Sequence, residues 1–365
     1  MKICVLALFA TALFGQVPRD VFPEPATEYR GKILAVVSST GVNPNSGKSI
    51  GYELTELSRA WYLFEANGYE VEVASPKGGP APAVMDDEDM TDLDNGFLAD
   101  PAVKAKLDHT HRMDQIDPGD YRAIYFVGGK GAFFDFPDDP HIQKAVADIY
   151  ENGGVVSAVC HGPAALVNVK LTDDSYLIEG MKISSFTNKE ELLLNKKAEA
   201  VYPFLLEDRL IERGAVFEQA PLFLNNSSVD GRLVTGQNPW STWAVAENTI
   251  RALGHEPVPR IRTANEVTVE TIAALRSRDL KAAHSVKQGS EKFDHVFLAS
   301  YTVATIIDGD AATTLDLIRL SDYTWVWVVA VLTPLALAVG AFLLVRMLFR
   351  KTVTVIRKRR EAAPI

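Results

Sequence analysis

A single thiol followed by an imidazole, a glycine and a proline is the feature of this 365-residue sequence most suited to chemistry. In GVVSAVCHGPAALV, residues 154–167, an apolar strand-like run leads to Cys160 and His161, and Gly162 and Pro163 then open a helix. This order sets the sulfur above the carboxyl end of a strand and near a helix N-terminus. Unpaired N–H groups and the helix dipole there favour a thiolate, the nucleophilic form of cysteine. His161 can relay a proton if the turn brings its ring back to the sulfur. An isolated cysteine is more often an inert core thiol, but the strand, turn and helix around Cys160 favour a reactive one.

Other chemistry-bearing patterns are weaker. Residues 41–49, GVNPNSGKS, follow a strand and resemble a phosphate-binding loop, but five residues separate the glycines where four are required. Nucleotide binding is therefore not expected. His109 and His111, with Asp108 and Asp114, have metal-ligating side chains, but they lie in a polar, Asp-rich stretch and read as surface residues. Neither a metal nor a cofactor is expected. Cys4 is the only other cysteine and falls in an apolar leader, so no disulfide framework is expected.

The elements that must position Cys160 follow from periodicity. Residues 32–39, 71–75, 123–127 and 155–159 read as strands, and residues 53–67 and 141–152 as helices stopped by Gly68 and by Gly153 and Gly154. Strands alternating with helices predict an α/β domain, a doubly wound, mostly parallel sheet covered on both faces. After about Pro257 the pattern changes. Asn265 is a candidate cap for a helix reaching His284, and residues 286–320 show little clear periodicity, so 256–322 read as a stalk or accessory segment.

Residues 1–16 read as a secretory signal and the uncharged residues 323–345 as a transmembrane helix. Tyr323, Trp325 and Trp327 edge that run on one side, and a basic tail, 346–365, follows on the other. The expected protein is thus single-pass, with its catalytic domain outside the cytoplasm and its C-terminus inside. Residues 3–345 hold 29 Lys and Arg against 46 Asp and Glu. That acidic body argues against nucleic acid as a partner and suits a small-molecule substrate.

Four segments in order, GYELTELSRAWYLFEANGYEVEVASPKGG, FVGGKGAFFDF, AVCHGPAAL and GRLVTGQNPWS, resemble the ThiJ/PfpI family of the class I glutamine-amidotransferase-like superfamily. The likeness spans about residues 30–253, giving an expected domain at 28–255, and is greatest to the chaperone-like glyoxalase III and deglycase branch. It implies a flavodoxin-like α/β sandwich with Cys160 at a nucleophile elbow. It implies a glutamate of the first helix, Glu56, aimed at the sulfur, where a carboxyl must keep its proton or suffer repulsion from a thiolate. It assigns the acidic partner of His161 to Glu191, although related proteins place an Asp nearer Asn188 and Glu190 is adjacent. Gly128, Gly129 and Gly131 fall where backbone N–H groups form an oxyanion hole. Lys130 stands where the family often has His, which leaves the substrate range open.

The reaction implied is a glyoxalase III or deglycase conversion of methylglyoxal or similar reactive carbonyls, giving lactate from methylglyoxal without a cofactor. The alternatives are a cysteine amidase, peptidase or amidotransferase-like hydrolase, and a non-catalytic redox or carbonyl sensor or holdase. The family's members commonly dimerise, so a homodimer is also expected.

Overall fold

The structure, a computed structural model, describes residues 17–85, 89–277 and 279–321. The described chain divides into two compact units, one up to Glu270 and one from Thr271.

The first unit is built on a seven-stranded sheet. Its strands are β1 (Gly31–Val36), β2 (Tyr69–Ser75), β3 (His111–Arg112), β4 (Tyr121–Phe126), β5 (Val155–Val159), β6 (Ser227–Asp230) and β7 (Leu233–Gly236). Their order is β6-β7-β5-β4-β1-β2-β3, and every neighbouring pair is parallel except β6 with β7. The central strands are apolar almost without interruption because both faces are covered. Leu34, Val36, Ile124, Phe126, Val156 and Ala158 join the cluster that holds Ile142, Val146 and Ile149 of helix α2 (Pro140–Glu151). The alternate residues face the other side, where Tyr125 meets Phe64 of helix α1 (Leu54–Ala66) edge to face at 5.5 Å. Helix α3 (Asn188–Leu194) lies in the connection between β5 and β6, and helix α4 (Thr242–Ala252) packs beside α1. This is an α/β fold with a mostly parallel central sheet flanked by helices.

Parallel register fixes where the site must form. Val36 is level with Phe126, Phe126 with Ala158, and Val159 with Gly236. The chain therefore leaves β1, β4, β5 and β7 along one edge, and the loops after them meet there. The start of α1 joins the same edge through Glu53 N–H, which donates to Gly128 O at 3.1 Å.

The C-terminal region differs from its expected pattern. The helix expected over 265–284 is two helices, α5 (Ala264–Arg276) and α6 (Leu280–Gln288), the second capped by Asp279. The aperiodic stretch after it forms α7 (His295–Asp308) and α8 (Ala311–Leu320), separated by Gly309 at φ 78°. Their pattern is hidden because threonines take core positions. Thr302, Thr305 and Thr314 are buried, each bonded to a carbonyl of its own helix or cap, while Val303, Ile306 and Ile307 are exposed.

The expected membrane placement, with a catalytic domain outside the cytoplasm, is corrected. Among the described residues no helix is long and apolar enough to cross a membrane. The 14 residues of α7 extend about 21 Å at 1.5 Å per residue, short of a hydrocarbon core of about 30 Å. The expected signal segment 1–16, span 323–345 and tail 346–365 lie outside the described residues.

Candidate active site

Cys160 comes directly after the last residue of β5 with φ 59°, a left-handed conformation that side chains other than Gly, Asn and Asp seldom adopt. Two backbone hydrogen bonds hold it there. Its N–H donates to Gly236 O at 2.9 Å, and its C=O accepts from Phe186 N at 2.9 Å. Strain of this kind persists only where the surroundings over-determine it. The sulfur is nearly enclosed, with Cys160 4% exposed.

The same turn brings the His161 ring back to the sulfur. Nδ1 lies 3.3 Å from Sγ, and Nε2 lies 2.7 Å from Glu191 Oε2. The ring sits between Phe186 and Phe133, at centroid distances of 4.6 and 5.0 Å. Burial works against the Glu191 carboxylate, but the His161 hydrogen bond, the charge that ring carries when protonated, and Lys130 hold it below the usual carboxylate range. An ionised carboxylate only accepts, which assigns the proton to Nε2 and leaves the Nδ1 lone pair facing the thiol.

Glu56 approaches Cys160 from the first turn of α1 and is fully buried. Its Oε2 accepts from Gly128 N–H at 2.7 Å, and its backbone C=O accepts from the Tyr125 hydroxyl at 2.9 Å. Burial first, and then the Glu53 carboxylate, push Glu56 well above the usual range, while hydrogen bonds from Cys160 and Gly128 oppose this. With Oε2 occupied by the Gly128 N–H, Oε1 is the place for the acidic proton.

The thiolate-favouring environment expected from the sequence is not the one that surrounds Cys160. Burial and the adjacent Glu56 carboxyl push the thiol well above its ordinary value, opposed by a hydrogen bond from Gly129 N–H. The turn leads into a single short helical stretch, Gly162–Leu166, with little dipole to offer. Glu56 and Cys160 are therefore coupled acids: loss of a proton from one makes loss of the second harder.

The three glycines have different partners. Gly128 N–H serves Glu56 and Gly131 N–H donates to Gly51 O at 3.0 Å, so Gly129 is the one whose N–H faces the sulfur. Gly128 is required by close approach. A Cβ there would stand 2.6 Å from Glu56 Oε2, 2.7 Å from Cys160 Cβ and 2.7 Å from Val159 O. Gly128→Ala is expected to cost about 1–3 kcal/mol of stability, read from urea midpoints, because two of these contacts belong to backbone or Cβ atoms that cannot swing away.

A cavity of about 290 Å³ opens onto this cluster, with Gly129, Lys130, Cys160 and His161 in its wall. Glu190 has a role its position did not reveal. It is fully buried and accepts five hydrogen bonds: Oε2 from Thr187 N and Oγ1, and Oε1 from Phe223 N, Gln237 Nε2 and Asn238 Nδ2. The Thr187 pair is a capping box, legible as T-x-x-E; the other donors lie 33 to 48 residues away and left no local signal.

A family model described as the DJ-1/PfpI family matches residues 49–252, more than half of the sequence. The chain belongs to the DJ-1/PfpI family. Among its DJ-1/PfpI relatives is Glyoxalase 3 of Candida albicans, 32% identical over 231 residues that cover 60% of this chain and 97% of that protein. A glutathione-independent glyoxalase of Saccharomyces cerevisiae is also 32% identical, over 60% of this chain and 97% of its own. Among solved structures, the rapid encystment protein of Francisella tularensis aligns with a TM-score of 0.59 at 32% identity, covering 62% of this chain and all of that one. The DJ-1/PfpI sheet and flanking helices are thus shared with chains of similar sequence.

Proposed function

We propose that this chain is a glutathione-independent glyoxalase that converts methylglyoxal and related 2-oxoaldehydes into 2-hydroxy acids. The observation that carries this reading is the buried row Glu56, Cys160, His161, Glu191, in which a thiol stands between a protonated carboxyl and an oriented imidazole. The names of the relatives point the same way.

Cys160 Sγ attacks the aldehyde carbon while the thiol proton passes to His161 Nδ1, and the imidazolium is held by the Glu191 carboxylate. The former carbonyl oxygen is met by Gly129 N–H and takes that proton, giving a hemithioacetal. His161 then removes the hydrogen on the aldehyde carbon as Glu56 protonates the neighbouring ketone oxygen, which yields an ene-diol. Return of the His161 proton to the second carbon, with loss of the first hydroxyl proton to Glu56, leaves a thioester. Water cleaves the C–S bond, restores the thiol and frees the 2-hydroxy acid. One carbon is oxidised as its neighbour is reduced, so no outside redox partner enters the balance.

Purified protein given methylglyoxal alone is expected to form lactate mole for mole without added glutathione. Failure to form lactate would overturn the reading. The Cys160–His161–Glu191 row also suits an amidase or peptidase, so glutamine and a peptide panel belong in the same assay, where release of ammonia or new amines would favour that alternative.

A further inference from the structure

We infer that the site prefers 2-oxoaldehydes carrying a bulky apolar, phenyl-sized substituent over methylglyoxal, and that Phe223 and Trp240 form the subsite for that group. This rests on the glyoxalase reading and names its substrate class.

The cavity measures about 290 Å³, where about 10–15 Å³ on the same measure holds one water, so the five heavy atoms of methylglyoxal bonded to Cys160 leave well over half of the space unfilled. The groups suited to a dicarbonyl, Gly129, Cys160 and His161, lie together, and the wall also includes Ile50, Val84, Phe186, Leu194, Phe223 and Trp240. An apolar substituent extending from the dicarbonyl exchanges water for these side chains.

The aromatic part of this wall is fixed before any substrate arrives. Phe223 and Trp240 pack edge to face at 5.6 Å. Phe223 is at φ 56°, a strained value, and its N–H donates to Glu190 Oε1 at 2.7 Å. Gln237 and Asn238, just before Pro239 and Trp240, donate to the same oxygen at 2.9 and 3.0 Å, and Asn238 Nδ2 also donates to Leu224 O at 2.9 Å. One buried carboxylate thus ties both ring-bearing segments to helix α3, on which the residue after Glu190 orients His161. A preorganised wall avoids the ordering cost of binding. Glu190 is a positioning residue for it.

The test compares kcat/KM for phenylglyoxal and methylglyoxal in the intact protein, Trp240→Ala and Glu190→Gln. The expected ratio in the intact protein is at least about tenfold in favour of phenylglyoxal. Trp240→Ala should bring the ratio close to one. Glu190→Gln should raise KM for phenylglyoxal several-fold with the pH profile of kcat unmoved, a split that simple loss of folded protein does not produce. Trp240 is partly exposed, so its variant carries the test even if Glu190→Gln fails to fold. A ratio near one in the intact protein, or one that Trp240→Ala leaves unchanged, overturns the inference while methylglyoxal turnover keeps the glyoxalase reading. Turnover of neither aldehyde overturns both.

Discussion

Cys160→Ser is expected to lower kcat/KM for methylglyoxal by about 10⁴-fold or more, the scale seen when a covalent nucleophile is removed. The side chain is enclosed by Gly128, Gly129 and the His161 ring, so serine keeps the shape and loses the sulfur. A hydroxyl in this position is a weaker nucleophile, and the thioester that water must cleave becomes a less reactive ester. Lactate formation read beside the unfolding midpoint separates the chemistry from the fold. Equal lactate from both proteins would remove Cys160 from the reaction.

Glu56→Gln is expected to lower kcat by about 10²- to 10⁴-fold, because an amide cannot give and retake a proton in the ene-diol step. Its oxygen can still accept from Gly128 N–H, so placement survives. Two pH effects accompany the loss. The Glu56 carboxyl contributes to the raised thiol, so without it Cys160 should ionise at lower pH, measured by the pH dependence of iodoacetamide labelling. Stability should change in a definite direction as well. A carboxyl raised in the folded state from its ordinary 4.5 binds more protons folded than unfolded, so the contribution of Glu56 to stability falls as pH rises above that value. Glu56→Gln removes this slope, and its urea midpoint should gain on the intact protein between pH 4 and pH 7. A steeper slope in the variant would contradict the protonation state assigned to Glu56.

Much of this site could be read along the chain because its centre is local. A strand, a tight turn and adjacent Cys160 and His161 occupy a few consecutive residues, and the left-handed turn closes their geometry without distant help. Glu56 and Glu191 came from longer motif likeness, since a glutamate in a helix looks the same whether it faces solvent or a sulfur. Burial is what the residues near Cys160 did not disclose, and burial moves the thiol up where a helix start would have moved it down. Glu190 was hidden for a related reason, as its donors come from loops far along the sequence. The helices α7 and α8 were missed because buried threonines satisfied within their own turns break the apolar period.

Glu190 and Glu191 stand side by side and hold different parts of the site, one the aromatic wall and one His161. A lineage that shifted this helical turn to admit a new substrate would disturb the proton relay in the same step. In the proposed subsite, ring size at positions 223 and 240 is the variable that can change while the paired acids stay fixed.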